Sequence, residues 1–228
     1  GAGLHRVDWD LRGPSPEPID LSTPGFRPPW AEPAKGPLVA PGRYTATLTL
    51  VSTSVVRALG EPQSFEVKPV DNLPANTDVA AVAAFQAEVA EVRRRAAALG
   101  AEIGRLNDDL RHMRAALSAA PKADAALFRQ LDDVRETVAA LARRLYGDPI
   151  RGRLNESATP SMSSRLSSAM NSFETRLMPT ATQRRDAELA QRDLETLSRE
   201  YQTLVDGALA RLRAALDAAG APWTPGRR

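Results

Sequence analysis

Apolar and alanine residues recur at steps of three and four along residues 82–117 without a break. The positions are Val82, Phe85, Val89, Val92, Ala96, Leu99, Ile103, Leu106, Leu110, Met113 and Leu117. A repeat of 3.5 residues predicts a helix whose apolar seam packs with a left-handed supercoil against at least one partner helix. At a rise of 1.5 Å per residue this helix is about 60 Å long. The pattern indicates a rod or bundle rather than a compact enzyme core.

Three further helical patterns follow the first. The second pattern places Leu127, Leu131, Val134, Val138, Leu141 and Leu145 on one face, and the third places Met162, Leu166, Met170, Phe173 and Leu177 inward. The last seam consists of Ala190, Leu194, Leu197, Tyr201, Leu204, Ala208, Leu212 and Leu216. With Thr77 or Asp78 as the first N-cap and proline or glycine stops between helices, the predicted helices are about 78–119, 124–146, 161–178 and 182–219.

Two long helices and two short ones have two antiparallel packings. The short pair can fold back on each other, which gives a four-helix section, a two-helix stem and a C-terminus that returns toward the strands. The short pair can instead lie end to end, which gives a three-helix rod. We slightly favour the folded-back packing, because its stem would contact the strand domain.

The first seventy residues follow a different pattern. Nine prolines lie between Pro14 and Pro41, which excludes a long helix there. Alternating apolar positions predict strands around 7–11 and 44–50, and 54–59 and 64–68 add two more. In the segment 44–50, this period places Leu48 and Leu50 on the buried face of a half-buried strand.

Three or four short strands predict a small immunoglobulin-like β-sandwich, either reduced or lacking strands upstream of Gly1. The predicted fold is therefore α+β and multidomain. The β domain covers 1–70, a linker 71–77, the helical bundle or coiled coil 78–220, and a tail 221–228.

Composition narrows the functional classes. The 228 residues carry a net charge of +2, and acidic residues interleave with the arginines, so we expect no nucleic-acid partner. Cysteine is absent, which excludes disulfides and thiolate chemistry. No run of 18 apolar residues occurs, so we expect no membrane insertion. We also expect no cofactor.

Catalytic constellations are not evident in the sequence. His5 and His112 have no partner at metal-ligand spacing, and the serines between Ser161 and Ser168 have no neighbouring base. Asp108-Asp109 and Asp132-Asp133 fit solvated helix faces balanced by arginines. We therefore expect no catalytic residue and no metal site.

Three residues are candidates for ligand binding. Asp8 and Asp10 share one strand face and could bind a cation or a sugar hydroxyl, although a charged strand edge that blocks aggregation is the favoured interpretation. Trp30, like Trp223, lies in a proline-bounded segment, where a large ring either packs at a domain junction or forms a binding surface. We favour junction packing for both tryptophans.

Three segments carry a resemblance to a known family: 9–12 (WDLR), 41–45 (PGRYT) and 220–227 (GAPWTPGR). Together they resemble the C-terminal end of large secreted bacterial proteins known as glycosyl hydrolases with BNR or sortilin-like β-propeller repeats. In that family a long propeller precedes an immunoglobulin-like module and a helical tail. The resemblance implies a periplasmic or extracellular location and an upstream β-propeller as a partner. Propeller motifs, including the S-x-D-x-G box, do not occur in this chain, so the resemblance implies a non-catalytic region.

Three hypotheses of function follow. The main one is a non-catalytic accessory or interaction region of a larger exported protein, whose partner is its own propeller region or another protein. The second is a part of a hydrolase cleft that contributes Trp30, Asp8 or Asp10. The third is a coiled-coil adaptor that binds a partner helix along the 82–117 seam, and homo-oligomers through the helices are considered with it.

Overall fold

The computed structural model describes residues 3–19, 28, 35–53 and 55–226. These residues form a mixed α/β structure with long helices and a small β region of two sheets. The prediction for Trp30 lies outside the described residues. The division of the chain into domains stays a prediction.

Six α-helices follow the β region. They are α1 (Val79–Ser118), α2 (Ala125–Tyr146), α3 (Pro149–Arg153), α4 (Met162–Met170), α5 (Ala181–Leu204) and α6 (Ala210–Ala218). Side-chain caps begin most of them: Asp78 accepts a hydrogen bond from the Ala81 N–H at 2.9 Å, and Asp124 accepts one from Leu127 at 2.8 Å. The third pattern, predicted to be helical to residue 178, continues after α4 only as a 3₁₀ turn, Asn171–Glu174. Leu177, predicted to point inward, is exposed.

The apolar seam of α1 is covered along its whole length. All of its predicted seam positions are buried except Phe85, which is partly buried. Helices α2, α4, α5 and α6 supply the other side of one continuous apolar core. Burial of each large aliphatic side chain contributes about 1.5–3 kcal/mol before chain entropy is counted.

The two short helices lie end to end against α1, so the favoured folded-back packing is wrong. The end of α2 contacts the middle of α1, where a Cβ on Gly100 would meet Tyr146 and Leu145. Beyond α4, Ser172 and Thr175 lie beside Gln86, near the start of α1. Helix α2 therefore covers the C-terminal half of α1, and α4 covers the N-terminal half. The result is a three-helix rod.

The C-terminus lies at the end of the rod away from the strands. Lys122, which follows α1, donates its backbone N–H to the Ala219 carbonyl at 3.3 Å, and Gly220 lies against Pro121. The tail then turns back along α1, where Gly226 approaches Asp109. The expected return of the C-terminus to the strands does not occur.

A π-turn, Val205–Leu209, joins α5 to α6. Such a turn inserts one residue into the helix. Leu209 is consequently buried where the sequence pattern predicted Ala208, which is only partly buried.

The strands form a two-stranded ribbon. Strand β1 (Gly42–Ala46) pairs antiparallel with β4 (Gln63–Val67), and β2 (Thr49–Val51) pairs with β3 (Val56–Ala58). Two residues, 47 and 48, separate β1 from β2 on the first arm of the ribbon, whereas four residues, 59–62, separate β3 from β4 on the second arm. The second arm therefore bulges. Gly60, at φ +73°, adopts the left-handed conformation that this bulge requires.

The strand predicted around 7–11 is not formed. Asp10 accepts a hydrogen bond from the Arg12 N–H at 3.0 Å, and Trp9 donates one to the Arg12 carbonyl at 2.9 Å. Leu11 has φ +58°. These local bonds turn the chain, and within the described residues this segment has one bridge, between Arg12 and Leu38.

Candidate functional site

The two predicted acidic ligand groups lie on the surface without converging. Asp8 is exposed and pairs with Arg6 at 2.9 Å, and the Asp10 carboxylate accepts the Arg12 N–H. Because the predicted strand is replaced by a turn, the two carboxylates do not share a strand face. Trp9, which lies between them, packs against the ribbon instead.

Most of the large apolar side chains of the ribbon lie on one face, which also carries Arg57, the partner of Leu50, and Gln63, the partner of Ala46. By the two-residue period of a strand, Tyr44, Leu48 and Leu50 lie on one face of the first arm. Phe65 pairs with Tyr44 across the ribbon, and Leu59 donates its N–H to the Leu48 carbonyl at 2.7 Å. The opposite face carries Thr45, Thr47, Thr49, Ser64 and Glu66, and at the tip of the ribbon it also carries Val51 and Val56.

Among the residues that the structure describes, Trp9 covers one end of this apolar face. Its ring lies 5.5 Å from the ring of Tyr44 and 6.0 Å from that of Phe65, both in edge-to-face geometry. At the other end Leu48 is 65% exposed and Leu50 41%. The alternating pattern predicted that these two leucines are buried, but the described residues leave both of them exposed.

Both outer edges of the ribbon are also open. Each of the four strands pairs with one other strand among the described residues, so the outward backbone groups of both arms are unpaired within that part of the chain. The tip of the ribbon adds a second apolar pair, Val51 and Val56, at 71% and 73% exposure. Open edges and an open apolar face are typical of sheets that pair with another chain or pack under another layer.

A polar junction holds the segments around the ribbon to the base of the rod. The Arg12 guanidinium donates to the carbonyls of Gly36 at 3.0 Å and Phe173 at 2.9 Å. Glu17 accepts two hydrogen bonds from Arg93 of α1, at 2.6 and 2.8 Å. Because this ion pair is bidentate and partly buried, it restricts orientation as well as distance.

Gln86 is the buried centre of the junction. Its amide nitrogen donates to the carbonyls of Ser172 at 2.6 Å and Thr175 at 3.0 Å, and its amide oxygen accepts the Leu38 N–H at 3.1 Å. One side chain therefore joins α1, the 3₁₀ turn and the segment that leads into the ribbon. The sequence pattern assigned the seam position to Phe85, and a polar residue beside an apolar seam is the only signal that could have indicated this role.

A groove of about 830 Å³ lies beside the π-turn, between α1 and the last helices. Glu102, Asp109 and His112 of α1 face Tyr201 and Arg213 there. Burial, assisted by the Glu102 carboxylate, raises the pKa of the Tyr201 hydroxyl above its ordinary value of 10.0. His112 thus lies in a polar groove on the surface of the rod.

The acidic pairs and the serine cluster that the sequence analysis singled out make structural contacts in the described chain. Asp132 pairs with Arg114 at 2.7 Å and Arg135 at 3.3 Å, and Asp108 pairs with Arg111. In the serine cluster, Ser161 caps α4. Within the ranges that the structure describes, no group of three histidine or acidic side chains is arranged to hold a metal ion.

Trp223 does not pack at a junction, contrary to the favoured interpretation. Its side chain is 75% exposed, whereas Ala221 and Thr224 on either side of it are buried. Burial in this part of the tail is therefore supplied by small residues and not by the Trp223 ring.

Comparison with known proteins identifies no relative. No protein-family model matches the chain, and neither a curated protein nor a solved structure matches it. None of the described helices is both long enough and apolar enough to cross a membrane. The class that the described fold and surface define is a helical rod that carries an exposed apolar β-ribbon.

Proposed function

We propose that this chain is a non-catalytic accessory region of a larger exported protein, in which the rod is a spacer and the ribbon is the attachment surface. The observation that carries the proposal is the apolar ribbon face, open at Leu48 and Leu50. An apolar patch that is displayed on a folded element is a usual mark of an interaction surface.

The second part of the proposal concerns what covers that face. An isolated two-stranded ribbon is marginally stable, and a third strand or a packed layer is needed for independent stability. We propose that the ribbon belongs to an immunoglobulin-like sandwich whose other sheet packs on Leu48, Leu50 and Phe65 at about 10 Å. The β-rich partner implied by the resemblance of three segments to secreted propeller proteins supports this proposal, as does the export implied by it.

The helices favour a spacer over an adaptor. The regular seam of α1 supports a left-handed coiled-coil packing of the rod. Because α2, α4 and α5 already cover this seam, a partner helix could reach it only by displacing them. We therefore assign to the rod the role of a spacer, which separates and orients the parts that are attached at its ends.

A photocross-linking experiment tests the attachment surface. Benzoylphenylalanine replaces Leu48, on the apolar face, or Thr47, on the opposite face, in the protein expressed in its source cells. We expect strong cross-linking from position 48 to a β-structured partner or to another part of the same polypeptide, because that face is covered in the native protein. We expect weak cross-linking from position 47.

The matched positions make the test decisive. Both side chains are exposed in the described chain, so both variants should fold with a free energy of unfolding within about 0.5 kcal/mol of the original. Equal cross-linking from both positions, or none from position 48, would contradict the proposal.

A further inference from the structure

The break between α2 and α4 forms a second groove, of about 640 Å³, which the proposed function does not use. Chain 147–161 crosses over this break and supplies one wall. Arginines from three elements line the groove: Arg143 and Arg144 from the last turn of α2, Arg151 from α3 and Arg165 from α4. Hydroxyl-bearing residues, Thr159 and Ser161, also line it.

Two of these arginines have unused hydrogen-bonding capacity. The side chain of Arg165 is largely buried, its Nε is fully buried, and that atom has no hydrogen-bond partner among the described residues. Its nearest carboxylates, on Asp186 and Asp193, lie at 3.6 and 4.0 Å. Arg151 lies 3.9 Å from Glu156. Charge-assisted N–H···O bonds are normally about 2.7–2.9 Å long, so these contacts are ion pairs without hydrogen bonds.

The other two arginines at the groove are already paired, and Asp148 and Asp193 add carboxylates to its lining. Arg143 donates to Glu136 at 2.7 Å, and Arg144 donates to Glu200. The Asp148 carboxylate accepts the backbone N–H groups of Ile150 and Arg151, which hold its pKa below the ordinary value. A buried donor without an acceptor destabilises a fold, and a charged donor does so more strongly. Arg165 is therefore the unexplained group in this cluster.

We propose that the arginine groove binds a compact oxyanion, of the phosphate or diphosphate class, through Arg151 and Arg165. The planar guanidinium group is suited to such ligands, because it presents paired donors to two oxygens of one anion. Because Arg165 Nε is fully buried, the ligand would contact Arg165 through the part of its guanidinium group that lines the groove.

The test titrates the full chain with inorganic pyrophosphate, followed by isothermal calorimetry and by the ¹⁵N signal of Arg165 Nε. Ionic strength is held constant with sodium chloride. We expect saturable binding with one ligand per chain and a shift of the Arg165 signal. Arg151→Gln should weaken binding about tenfold, because one charge-assisted contact is lost.

Arg153→Gln is the matched control, since Arg153 lies on the same short helix and does not line the groove. It removes the same charge and should change the affinity less than twofold. The proposal is overturned if both variants weaken binding equally, which would indicate diffuse charge attraction. It is also overturned if binding does not saturate by about 10 mM or leaves the Arg165 signal unmoved.

Discussion

Gln86 shows how one residue can define the joint between two parts of the chain. Its side chain satisfies two carbonyls and one N–H from segments far apart in sequence. Heptad spacing predicts which apolar residues are buried, and it assigned this position of the seam to Phe85 rather than to Gln86. The spacing of apolar residues could not reveal that Gln86 packs against irregular backbone rather than against another helix. The N–H and carbonyl groups of that irregular backbone need hydrogen-bond partners from side chains.

The first prediction concerns this residue. Gln86→Met keeps the size of the side chain but leaves the Leu38 N–H and two carbonyls without their partner. We expect the free energy of unfolding, measured with urea, to fall by about 2–4 kcal/mol. Gln130→Met, at an exposed position of α2, is the control and should change it by less than about 0.5 kcal/mol. Similar losses in the two variants would mean that Gln86 has no special role.

At the scale of elements, local pattern predicted the long helices and the strands of the ribbon well. The period of 3.5 predicted helices at about 78–119 and 124–146, and the structure has Val79–Ser118 and Ala125–Tyr146. The pattern missed α3, which is too short to show a period, and the π-turn. The step of five from Leu204 to Leu209, around Gly207, was a signal for that insertion. It could not be distinguished from a regular seam through Ala208.

Strand pairing was harder to predict than strand position. Alternation places apolar residues on one face, but the bulge at Leu59–Pro62 shifts the pairing between the two halves of the ribbon. Around Trp9, hydrogen bonds from side chains to local backbone overcame an alternating pattern and produced a turn.

Two glycines in α1 give a prediction for helix packing. A methyl group at Gly104 would enter open space, so Gly104→Ala should stabilise the protein by about 0.5–1 kcal/mol through lower backbone entropy. A Cβ at Gly100 would clash with the Tyr146 hydroxyl. Gly100→Ala should therefore stabilise less, or destabilise, because the ring must move.

A double-mutant cycle tests whether contact with Tyr146 is the cause of the smaller gain at Gly100. In a Tyr146→Ala background, Gly100→Ala should recover a gain close to that of Gly104→Ala, measured by urea unfolding. If Gly100→Ala gives the same change in both backgrounds, α2 does not end against the middle of α1. That outcome would contradict the end-to-end packing.

At the scale of the whole molecule, length explains the packing that the sequence left open. Helix α1 is about 60 Å long, whereas the 22 residues of α2 cover only about 33 Å. Had α4 folded back on α2, the N-terminal half of the α1 seam would have faced only one helix. Placing α4 beyond α2 covers Val82 to Ala96 as well, so more apolar surface is buried.

The ribbon is the exception to the agreement between apolar pattern and burial. Along the rod, apolar pattern and burial agree, but on the ribbon Leu48 and Leu50 have the pattern of buried residues and remain exposed. A sequence whose local pattern conflicts with its observed surroundings often marks a functional surface. The sequence predicted the strands of this surface, but it could not predict which partner covers them.

Hydrogen exchange of the ribbon tests attachment most directly. The amides of residues 42–67 would be compared between the isolated chain and the native species purified from its source cells, with α1 core peptides as an internal reference. We predict fast exchange of the ribbon in the isolated chain and strong protection in the native species, because covered strands exchange slowly. Equal exchange of the ribbon in both samples, with α1 unchanged, would show that nothing covers it and would contradict the proposed function.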